Sequence, residues 1–351
     1  MFKSKFGATL VAVAALAAVG LVSPTLAHAD DTSRDAGVIG TLHNGVDPST
    51  DSTQGGNLTD GLVLVDTVVG YNEGEAAGTG LVLTANGIVI TNHHVVAGST
   101  SVTVTDPFNG KTYDADVLGY DTTHDVAVLQ LENASNLPTV TVSADPVNSG
   151  SPVTAIGNAQ GGGQLVTVNG EITGTGVTVT VTDDNGPGQA TLTNLLETTA
   201  PLVPGDSGGA MFDNSSKVVA MNVAGSTNQF QPAGYGIPIA TALKVANSVV
   251  TNQPDSTVTM GRTGGLGIVV STQSSGAPKI LQVVKGGAAN NAGITSGSTL
   301  TSLDGVTLTS QDQVTSILAG HKPGDKVQAS WRDKSGHNHT ATVTLGVAPL
   351  A

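Results

Sequence analysis

Short apolar runs separated by Gly, Asn and Asp turns follow one another from Leu62 to Pro238. Aromatic residues make up only 3% of the chain, whereas Val, Thr, Ala and Gly are abundant. Small and β-branched side chains of this kind pack well on pleated sheets. The pattern therefore predicts an all-β fold of the sandwich or barrel type, closed by a helix from Pro238 to Val250 that buries Ala240, Leu243, Val245 and Ala246. The expected strands cover residues 62–69, 79–83, 87–91, 102–105, 126–131, 153–156, 166–168, 177–181, 218–223 and 235–238.

The length of 351 residues predicts two folded domains and additional segments. Residues 30–61 are rich in Asp, Ser, Thr and Gly, which predicts a disordered segment. Residues 62–250 form the first predicted domain, 251–262 a polar linker, and 263–348 the second domain. Within the second domain we expect a helix over 310–319 and strands over 266–270, 279–284, 299–303, 327–332 and 340–345.

The N-terminus has the features of a secretory signal peptide. Lys3 and Lys5 precede an uncharged apolar run over 8–22, and Ala27-His28-Ala29 supplies a small-x-small cleavage site. The run is short for a membrane span, which needs about 20 apolar residues. We therefore expect cleavage after Ala29 and a secreted, extracytoplasmic protein. The alternative is an uncleaved signal that anchors the protein in the membrane.

The charge and composition argue against several function classes. The formal net charge is −14, and loss of Lys3 and Lys5 would make the mature chain still more acidic, which argues against nucleic-acid binding. Cysteine is absent, so the fold must form without disulfides. His337-x-His339 has no third metal ligand nearby in sequence, and P-loop and HExxH motifs are absent. We expect no metal and no cofactor.

A serine lies among glycines in Gly205-Asp206-Ser207-Gly208-Gly209. A serine hydroxyl becomes an effective nucleophile when an imidazole accepts its proton, and a carboxylate can orient that imidazole. His94 follows one strand-like run and Asp125 precedes another, which gives the chain order His, Asp, Ser used by chymotrypsin-type double barrels. We predict that His94 is the base, Asp125 the orienting acid and Ser207 the nucleophile. The backbone N–H groups of Gly205 and Ser207 would line the oxyanion hole.

Two other histidines, His93 and His124, compete for the role of base, because they also lie between Leu62 and Val250. In a strand, His93 and His94 would point to opposite sides, so only one of them can serve. Taken singly, each triad residue has an ordinary structural explanation, such as a buried histidine or an exposed serine. The combination and its order predict the triad.

Several segments together resemble the HtrA/Deg family, which consists of secreted trypsin-like serine proteases followed by PDZ domains. The resemblance covers the chain from about Leu62 to the C-terminus. It implies a chymotrypsin-like double six-stranded β-barrel followed by a small α+β PDZ domain. The matching segments are Gly78-Thr79-Gly80-Leu81-Val82, Thr91-Asn92-His93-His94-Val95-Val96, residues 121–129, Ala155-Ile156-Gly157-Asn158, Glu197-Thr198-Thr199-Ala200, Pro204-Gly205-Asp206-Ser207-Gly208-Gly209 and Gly234-Tyr235-Gly236-Ile237-Pro238.

The resemblance also implies a function: ATP-independent hydrolysis of peptide bonds in unfolded or damaged exported proteins. Two alternatives stay open. One is a catalytically silent or conditionally active chaperone-like protein that binds peptides, and the other is a dedicated processing protease. Family members often form trimers through N-terminal elements, which suggests a homo-oligomer, although residues 30–61 contain no aromatic residue.

By resemblance, the floor of the pocket for the P1 side chain lies at Pro201, with Leu202 and Val203 adjacent, and its wall at Val223, Ala224 and Gly225. None of these residues is charged. A basic P1 side chain would lose its hydration there without gaining a counter-ion, so we expect small or medium aliphatic P1 residues.

The chain departs from the family pattern at Asp206, where the family usually carries Asn. A buried carboxylate without a partner is costly. The candidates to satisfy it are Lys111, Lys217 or Lys244, backbone N–H groups, the amino terminus of the chain, or water.

The second domain begins with Gly264-Gly265-Leu266-Gly267-Ile268, which resembles the carboxylate-binding loop of PDZ domains. By that resemblance, the backbone N–H groups of Gly265, Leu266, Gly267 and Ile268 would receive a peptide C-terminus, and the strand that follows would pair with the peptide. The expected partners are therefore unfolded proteins, peptides and free C-termini.

Overall fold

The computed structural model describes residues 57–71, 74–143, 145–182, 189–225, 234–271 and 276–351. The predicted signal peptide and nearly all of the segment 30–61 lie outside the described residues. In the part of the chain that is described, no helix is long and apolar enough to cross a membrane. Two antiparallel six-stranded barrels are followed by a smaller C-terminal unit of short strands and helices, which confirms the predicted fold class.

The first barrel runs in the order β5-β4-β1-β2-β3-β6 and is closed by pairing of β6 with β5. A one-turn helix, α1 (His93–Val96), follows β3. The strands are β1 (Leu62–Val69), β2 (Gly74–Val82), β3 (Ile88–Thr91), β4 (Ser99–Thr105), β5 (Thr112–Asp121) and β6 (Val126–Leu131).

Strand alternation divides the apolar side chains of the first barrel between two clusters. Val89 points into a cluster inside this barrel, with Val63 and Leu129. Its neighbours Ile88 and Ile90 point the other way, into a larger cluster that also includes residues of the second barrel. Because successive side chains of a strand face opposite sides, a continuous apolar run buries both faces. The run Ile88-Val89-Ile90 therefore fills one barrel and joins it to the next.

The second barrel closes in the order β10-β11-β12-β9-β8-β7. Helix α2 (Ile239–Val250) follows it and packs on the cluster shared by the two barrels through Ala242, Val245 and Val249. Ala240, which we expected on the buried face of this helix, is exposed. The strands are β7 (Pro152–Gly157), β8 (Val166–Thr182), β9 (Gln189–Thr198), β10 (Ala210–Phe212), β11 (Val218–Gly225) and β12 (Gly234–Pro238), and a short 3-10 turn covers Ala159–Gly161.

The C-terminal unit has its own core around Leu266, Ile280, Leu300 and Trp331. The segment expected to be a turn-rich linker contains a strand, β13 (Val258–Met260), which pairs with β5 of the first barrel. The remaining elements are β14 (Gly264–Gly265), β15 (Ile268–Val270), β16 (Ile280–Val283), α3 (Ala288–Asn291), β17 (Thr299–Leu303), β18 (Val306–Thr307), α4 (Gln311–Leu318), β19 (Lys326–Arg332), β20 (Asn338–Thr344) and β21 (Gly346–Val347).

The segment after β21 returns to the first barrel. Leu350 is only 5% exposed and joins the cluster inside that barrel. Its N–H donates to the Ser99 carbonyl, and its own carbonyl accepts from the Gly98 N–H. The Arg262 guanidinium also donates to Ser99, at 2.6 Å to the carbonyl and 2.8 Å to the hydroxyl. These contacts attach the C-terminal unit to the barrel that carries His94.

Candidate active site

His94 lies in α1 and not at the end of a strand. Strand β3 ends at Thr91, and the chain turns at once into the helix that begins at His93. The directions of His93 and His94 are therefore set by the rotation of about 100° per residue in a helix, rather than by strand alternation.

The ring and the main chain of His94 both contact Asp125. Nδ1 of His94 lies 2.7 Å from Oδ2 of Asp125, and the His94 N–H donates to Oδ1 at 2.9 Å. The Asp125 side chain is 8% exposed and that of His94 is 43% exposed. A carboxylate that is ionised only accepts hydrogen bonds, so a neutral His94 ring in this contact would carry its proton on Nδ1 and leave Nε2 as the acceptor atom.

Asp125 is held in a strained backbone conformation, with φ of 54°. A non-glycine residue in this region costs about 1–3 kcal/mol, and such residues cluster at functional sites. The Asp125 carbonyl is fixed by the Asn92 side-chain amide at 3.0 Å and by the His93 N–H at 3.2 Å. Both hydrogen bonds stabilise the conformation that presents the carboxylate to His94.

The two competing histidines have other partners. Nε2 of His93 lies 2.7 Å from the Ala351 carbonyl oxygen, and its ring stacks on Tyr120 with centroids 4.8 Å apart. Burial lowers the pKa of His93, although the Ala351 carbonyl opposes this shift. Nδ1 of His124 lies 2.7 Å from Oδ2 of Asp121.

Ser207 lies in the loop between β9 and β10. Its hydroxyl donates to the Val223 carbonyl at 3.1 Å, and its own carbonyl accepts from the Thr79 N–H at 2.8 Å. Gly208, with φ of 83°, packs so tightly that a Cβ there would collide with the Thr79 carbonyl. The glycine after the serine is therefore required by both its backbone conformation and the close approach of β2.

The peptide group between Pro204 and Gly205 has a defined orientation. Its carbonyl accepts a hydrogen bond from the Gln160 N–H at 2.6 Å. Because the N–H of a trans peptide points opposite to the carbonyl, the Gly205 N–H points away from Gln160. Within the described residues, neither the Gly205 N–H nor the Ser207 N–H donates to another protein group. Two donors beside the serine hydroxyl are thus available to an oxygen of a bound molecule.

Comparisons with known proteins show which family the chain belongs to. The trypsin-like peptidase domain family matches residues 78–221, and the PDZ domain family matches residues 264–345. Serine protease PepD of Mycobacterium tuberculosis is 30% identical over 308 residues, which cover 82% of this chain and 64% of PepD. Serine protease Do-like HtrA of Lactococcus lactis subsp. cremoris is 30% identical over 292 residues, which cover 76% of this chain and 70% of that protein. The chain belongs to the HtrA family of serine proteases.

Another HtrA relative is the periplasmic pH-dependent serine endoprotease DegQ of Escherichia coli. It is 28% identical over 271 residues, which cover 72% of this chain and 56% of DegQ. The chain therefore spans less than two thirds of the length of PepD and of DegQ.

Asp206, where the HtrA pattern leads us to expect Asn, is buried with 4% exposure. Oδ2 accepts from the Val203 N–H at 2.9 Å, whereas Oδ1 has no partner in the described part of the chain. Burial raises the pKa of Asp206, and the Val203 N–H opposes that shift. One oxygen of the carboxyl is thus satisfied by the backbone.

No lysine supplies the missing partner of Asp206 within the described residues. The Lys244 ammonium lies 3.1 Å from Asp255, and the Lys111 ammonium lies 4.5 Å from the centroid of the Tyr113 ring. Lys217 is exposed, and it makes no contact with Asp206.

The residues expected to form the substrate pocket differ in exposure. Pro201 is exposed, whereas Leu202 is buried in a small cluster with Ala155 and Ala200. Val223 is 3% exposed. Ala224 and Gly225 lie in β11, where their backbones pair with β12.

Glu197 is an acid that would make such a pocket negatively charged if it reached it. Its carboxylate accepts two other hydrogen bonds. Its Oε2 accepts from the Thr173 hydroxyl at 3.1 Å, and its Oε1 accepts from the Tyr235 hydroxyl at 3.4 Å. Both contacts hold the carboxylate against neighbouring strands of the second barrel.

In the C-terminal unit, Leu266 and Gly267 connect β14 to β15. Gly267 has φ of 67°, and Leu266 is buried in the core of this unit. The carbonyls of Leu266 and Gly267 accept from Ala289 and Val284. Strand β15 pairs with β16 on one edge, and its other edge has no strand partner among the described residues.

The two histidines considered as metal ligands both contact Asp333. Nε2 of His339 lies 2.8 Å from Oδ2 of Asp333, and Nδ1 of His337 lies 3.5 Å from the same oxygen. The hydrogen bond from His339 lowers the pKa of Asp333 to about 2. Across the residues that the structure describes, no group of three or more His, Asp or Glu side chains is arranged to hold a metal ion.

Three buried polar residues around the site were not predicted to have a role. Thr79, Asn92 and Asn158 are each at most 1% exposed. Each lies in a segment that carried the family resemblance. Asn92 and Asn158 follow apolar runs, and Thr79 precedes one. A polar residue at the end of a buried run is the signal by which sequence reasoning can find this kind of support.

Proposed function

We propose that the chain is a secreted, ATP-independent serine endopeptidase that cleaves unfolded or damaged exported proteins. The observation that carries the proposal is the 2.7 Å contact between Nδ1 of His94 and Oδ2 of Asp125. The Ser207 loop, with two N–H donors beside the hydroxyl, gives further support. Membership of the HtrA family and the match to the trypsin-like peptidase domain are consistent with this activity.

In the proposed reaction, the Ser207 oxygen attacks the carbonyl carbon of the scissile peptide bond. Its proton, now directed at the Val223 carbonyl, turns toward Nε2 of His94 and is accepted there. Asp125 stabilises the imidazolium that forms. The carbonyl oxygen, which gains negative charge, is bound by the N–H groups of Gly205 and Ser207. His94 then donates the proton to the leaving amine, and water releases the acyl group by the reverse sequence.

The N-terminal sequence and the named relatives both support an extracytoplasmic location. Residues 1–29 have the pattern of a signal peptide, although they lie outside the described residues. Relatives such as DegQ of Escherichia coli are named periplasmic endoproteases. A location outside the cytoplasm also suits the proposed ATP-independent activity, because the sequence contains no P-loop motif.

The C-terminal unit is proposed to bind the free C-termini of peptides. Gly265, Leu266, Gly267 and Ile268 would receive the carboxylate, and the open edge of β15 would add the peptide as a further strand. In this proposal the unit brings exposed chain ends of substrate proteins to the protease. A homo-oligomer would present several such units together.

Mass spectrometry of peptides released from reduced, unfolded casein by the mature chain tests the proposed activity. Ser207→Ala serves as the matched control, and a fluorophosphonate probe reports on the nucleophile. Cleavage at many sites with Ser207 dependence supports a general endopeptidase. Binding of casein without cleavage or labelling would indicate the chaperone-like alternative, and cleavage of only one or two sequences would indicate a processing protease.

A further inference from the structure

Thr79 is a buried polar residue in β2 whose side chain crosses from the first barrel to the second. It is 0% exposed. Its hydroxyl donates to the Gly205 carbonyl at 2.9 Å and accepts from the Asn158 N–H at 2.8 Å. Both partners belong to loops of the second barrel, so both hydrogen-bonding roles of this hydroxyl are used across the barrel interface.

The main chain of Thr79 adds two more contacts. Its N–H donates to the Ser207 carbonyl at 2.8 Å. Its carbonyl accepts from the Thr91 hydroxyl at 2.6 Å, in the strand that leads to α1. Thr79 therefore touches the residues on both sides of Asp206 and is also bound to the strand before His94.

Two hydrogen bonds hold the peptide groups on either side of Gly205. The carbonyl of Pro204 is held by the Gln160 N–H, and the carbonyl of Gly205 by the Thr79 hydroxyl. Gly205 has φ of 93°, and glycine permits large backbone rotations. Without external hydrogen bonds, the peptide between Pro204 and Gly205 is free to rotate and to turn the Gly205 N–H away from a bound oxygen.

The hydrogen bond to Pro204 itself depends on a strained turn. Gln160 has φ of 59° and ψ of 18° inside a 3-10 turn, which costs about 1–3 kcal/mol for a non-glycine residue. This turn starts at Asn158, whose N–H is bound by the Thr79 hydroxyl. One hydroxyl group thus stabilises both the turn that holds Pro204 and the carbonyl of Gly205.

We propose that the Thr79 hydroxyl is the positioning group for the oxyanion hole, because it fixes the Gly205 N–H in the direction of the reacting carbonyl oxygen. It touches no substrate atom and acts through Gly205 and Asn158. The inference rests on the proposed peptidase activity. A purely structural role would lower the stability of the protein but would leave the turnover of the folded enzyme unchanged.

The test compares Thr79→Val, which keeps the shape and removes the hydroxyl, with Thr79→Ser, which keeps the hydroxyl. A short chromogenic peptide with Val at P1 is the substrate, and rates are measured well below each melting temperature. For Thr79→Val we expect kcat to fall by about 10- to 100-fold with KM within about 2-fold, because loss of an oxyanion donor alone costs 10²–10³-fold. Thr79→Ser should stay within about 3-fold of the original enzyme on both parameters.

A peptide aldehyde provides a second readout, because Ser207 adds to its carbonyl and the resulting oxygen occupies the oxyanion hole. Its inhibition constant should rise for Thr79→Val by the same factor by which kcat/KM falls. If Thr79→Val is unfolded, Thr79→Cys takes its place, since the thiol fills similar space and is only a weak donor.

An unchanged kcat or unchanged aldehyde inhibition in the folded variant overturns the inference, as does a loss confined to KM. These outcomes leave Ser207-dependent cleavage by the original enzyme intact. Absence of Ser207-dependent cleavage in the original enzyme instead removes the proposed activity.

Discussion

Asp125 binds both the ring Nδ1 and the main-chain N–H of His94 with its two carboxylate oxygens, at 2.7 and 2.9 Å. The pair joins two segments that are 31 residues apart in sequence, the helix after β3 and the start of β6. Because the main-chain hydrogen bond holds one carboxylate oxygen, the other oxygen is directed at the His94 ring.

The first prediction concerns turnover. Ser207→Ala or His94→Ala should each lower kcat by about 10⁶-fold, because members of a triad act as a unit. Asp125→Asn should lower kcat by about 10⁴-fold, since the amide favours the wrong tautomer of the His94 ring. His93→Ala is the matched control and should retain most of the activity. Loss of activity in His93→Ala, with activity retained in His94→Ala, would show that our choice of base is wrong.

The second prediction concerns Asp206 and pH. Its pKa in the folded protein is raised above the ordinary 3.8, so the protonated form is favoured by folding. The stabilising contribution is therefore complete below pH 3.8 and is lost as the pH rises through the folded-state pKa. Between these two pKa values, the free energy of unfolding should fall by at most about 1.4 kcal/mol per pH unit from this group alone.

Asp206→Asn should remove this fall, because the amide does not ionise. Chemical denaturation of both proteins between pH 4 and pH 9 measures the difference. Asp145→Asn, which neutralises an exposed carboxyl, is the control. A constant difference between the original protein and Asp206→Asn over the whole range would contradict the prediction.

The third prediction concerns the attachment of the C-terminal segment. Leu350 is 5% exposed in the cluster of the first barrel, so Leu350→Ala should lower the free energy of unfolding by about 2–5 kcal/mol. Leu281→Ala is the matched control, because Leu281 is 50% exposed and its truncation should change stability by no more than about 0.5 kcal/mol. Equal effects of the two truncations would mean that Leu350 does not pack as described.

The sequence predicted the fold class and the family, and both are confirmed. Individual strands were harder to predict where the pattern weakens. Strand β5 is Thr112–Asp121, in which polar residues interrupt the apolar ones, and it was not predicted. Strand β8 was predicted as two short strands, because Gly170, Gly174 and Gly176 look like turns although they lie inside one long strand whose pairing with β9 has register shifts.

Around the site, the sequence led to predictions of individual residues but not of their contacts. The chain order of His94, Asp125 and Ser207 led to the triad prediction, which awaits the kinetic test. In our proposal, the direction of the Gly205 N–H depends on two hydrogen bonds. The Thr79 hydroxyl and the Gln160 N–H donate them, and these two residues belong to different barrels. Such long-range contacts follow from how the barrels pack, and no local pattern in one sequence specifies them.

The fourth prediction concerns the specificity of cleavage. Peptides with Val, Ala, Leu or Ile at P1 should be cut, and peptides with Lys or Arg at P1 should not. The expected pocket residues carry no charge, and Glu197 is engaged by Thr173 and Tyr235. A cation would therefore lose hydration without compensation. Sequencing of the casein fragments measures this, and preferential cleavage after Arg would show that a carboxylate reaches the pocket.

The last prediction concerns peptide binding by the C-terminal unit. A peptide with an apolar C-terminal residue and a free carboxylate should bind along β15, and the same peptide with a C-terminal amide should bind much more weakly. Gly267→Val should weaken binding of the free-carboxylate peptide, because Gly267 has φ of 67°, which a β-branched residue adopts only under strain.

The same peptide distinguishes activation from simple tethering. If the bound peptide favours the arrangement of the loop around Gly205 that binds the oxyanion, turnover of a small chromogenic substrate should rise by about 5- to 150-fold. Tethering predicts unchanged turnover of that substrate at saturating peptide. The structure offers a route for coupling. Strand β14, which precedes the proposed carboxylate-binding residues, pairs with β21, and the segment after β21 reaches the first barrel through Leu350. Leu350→Ala should therefore reduce activation by peptide while leaving peptide affinity nearly unchanged, and failure of any free-carboxylate peptide to bind would remove the assigned role of this unit.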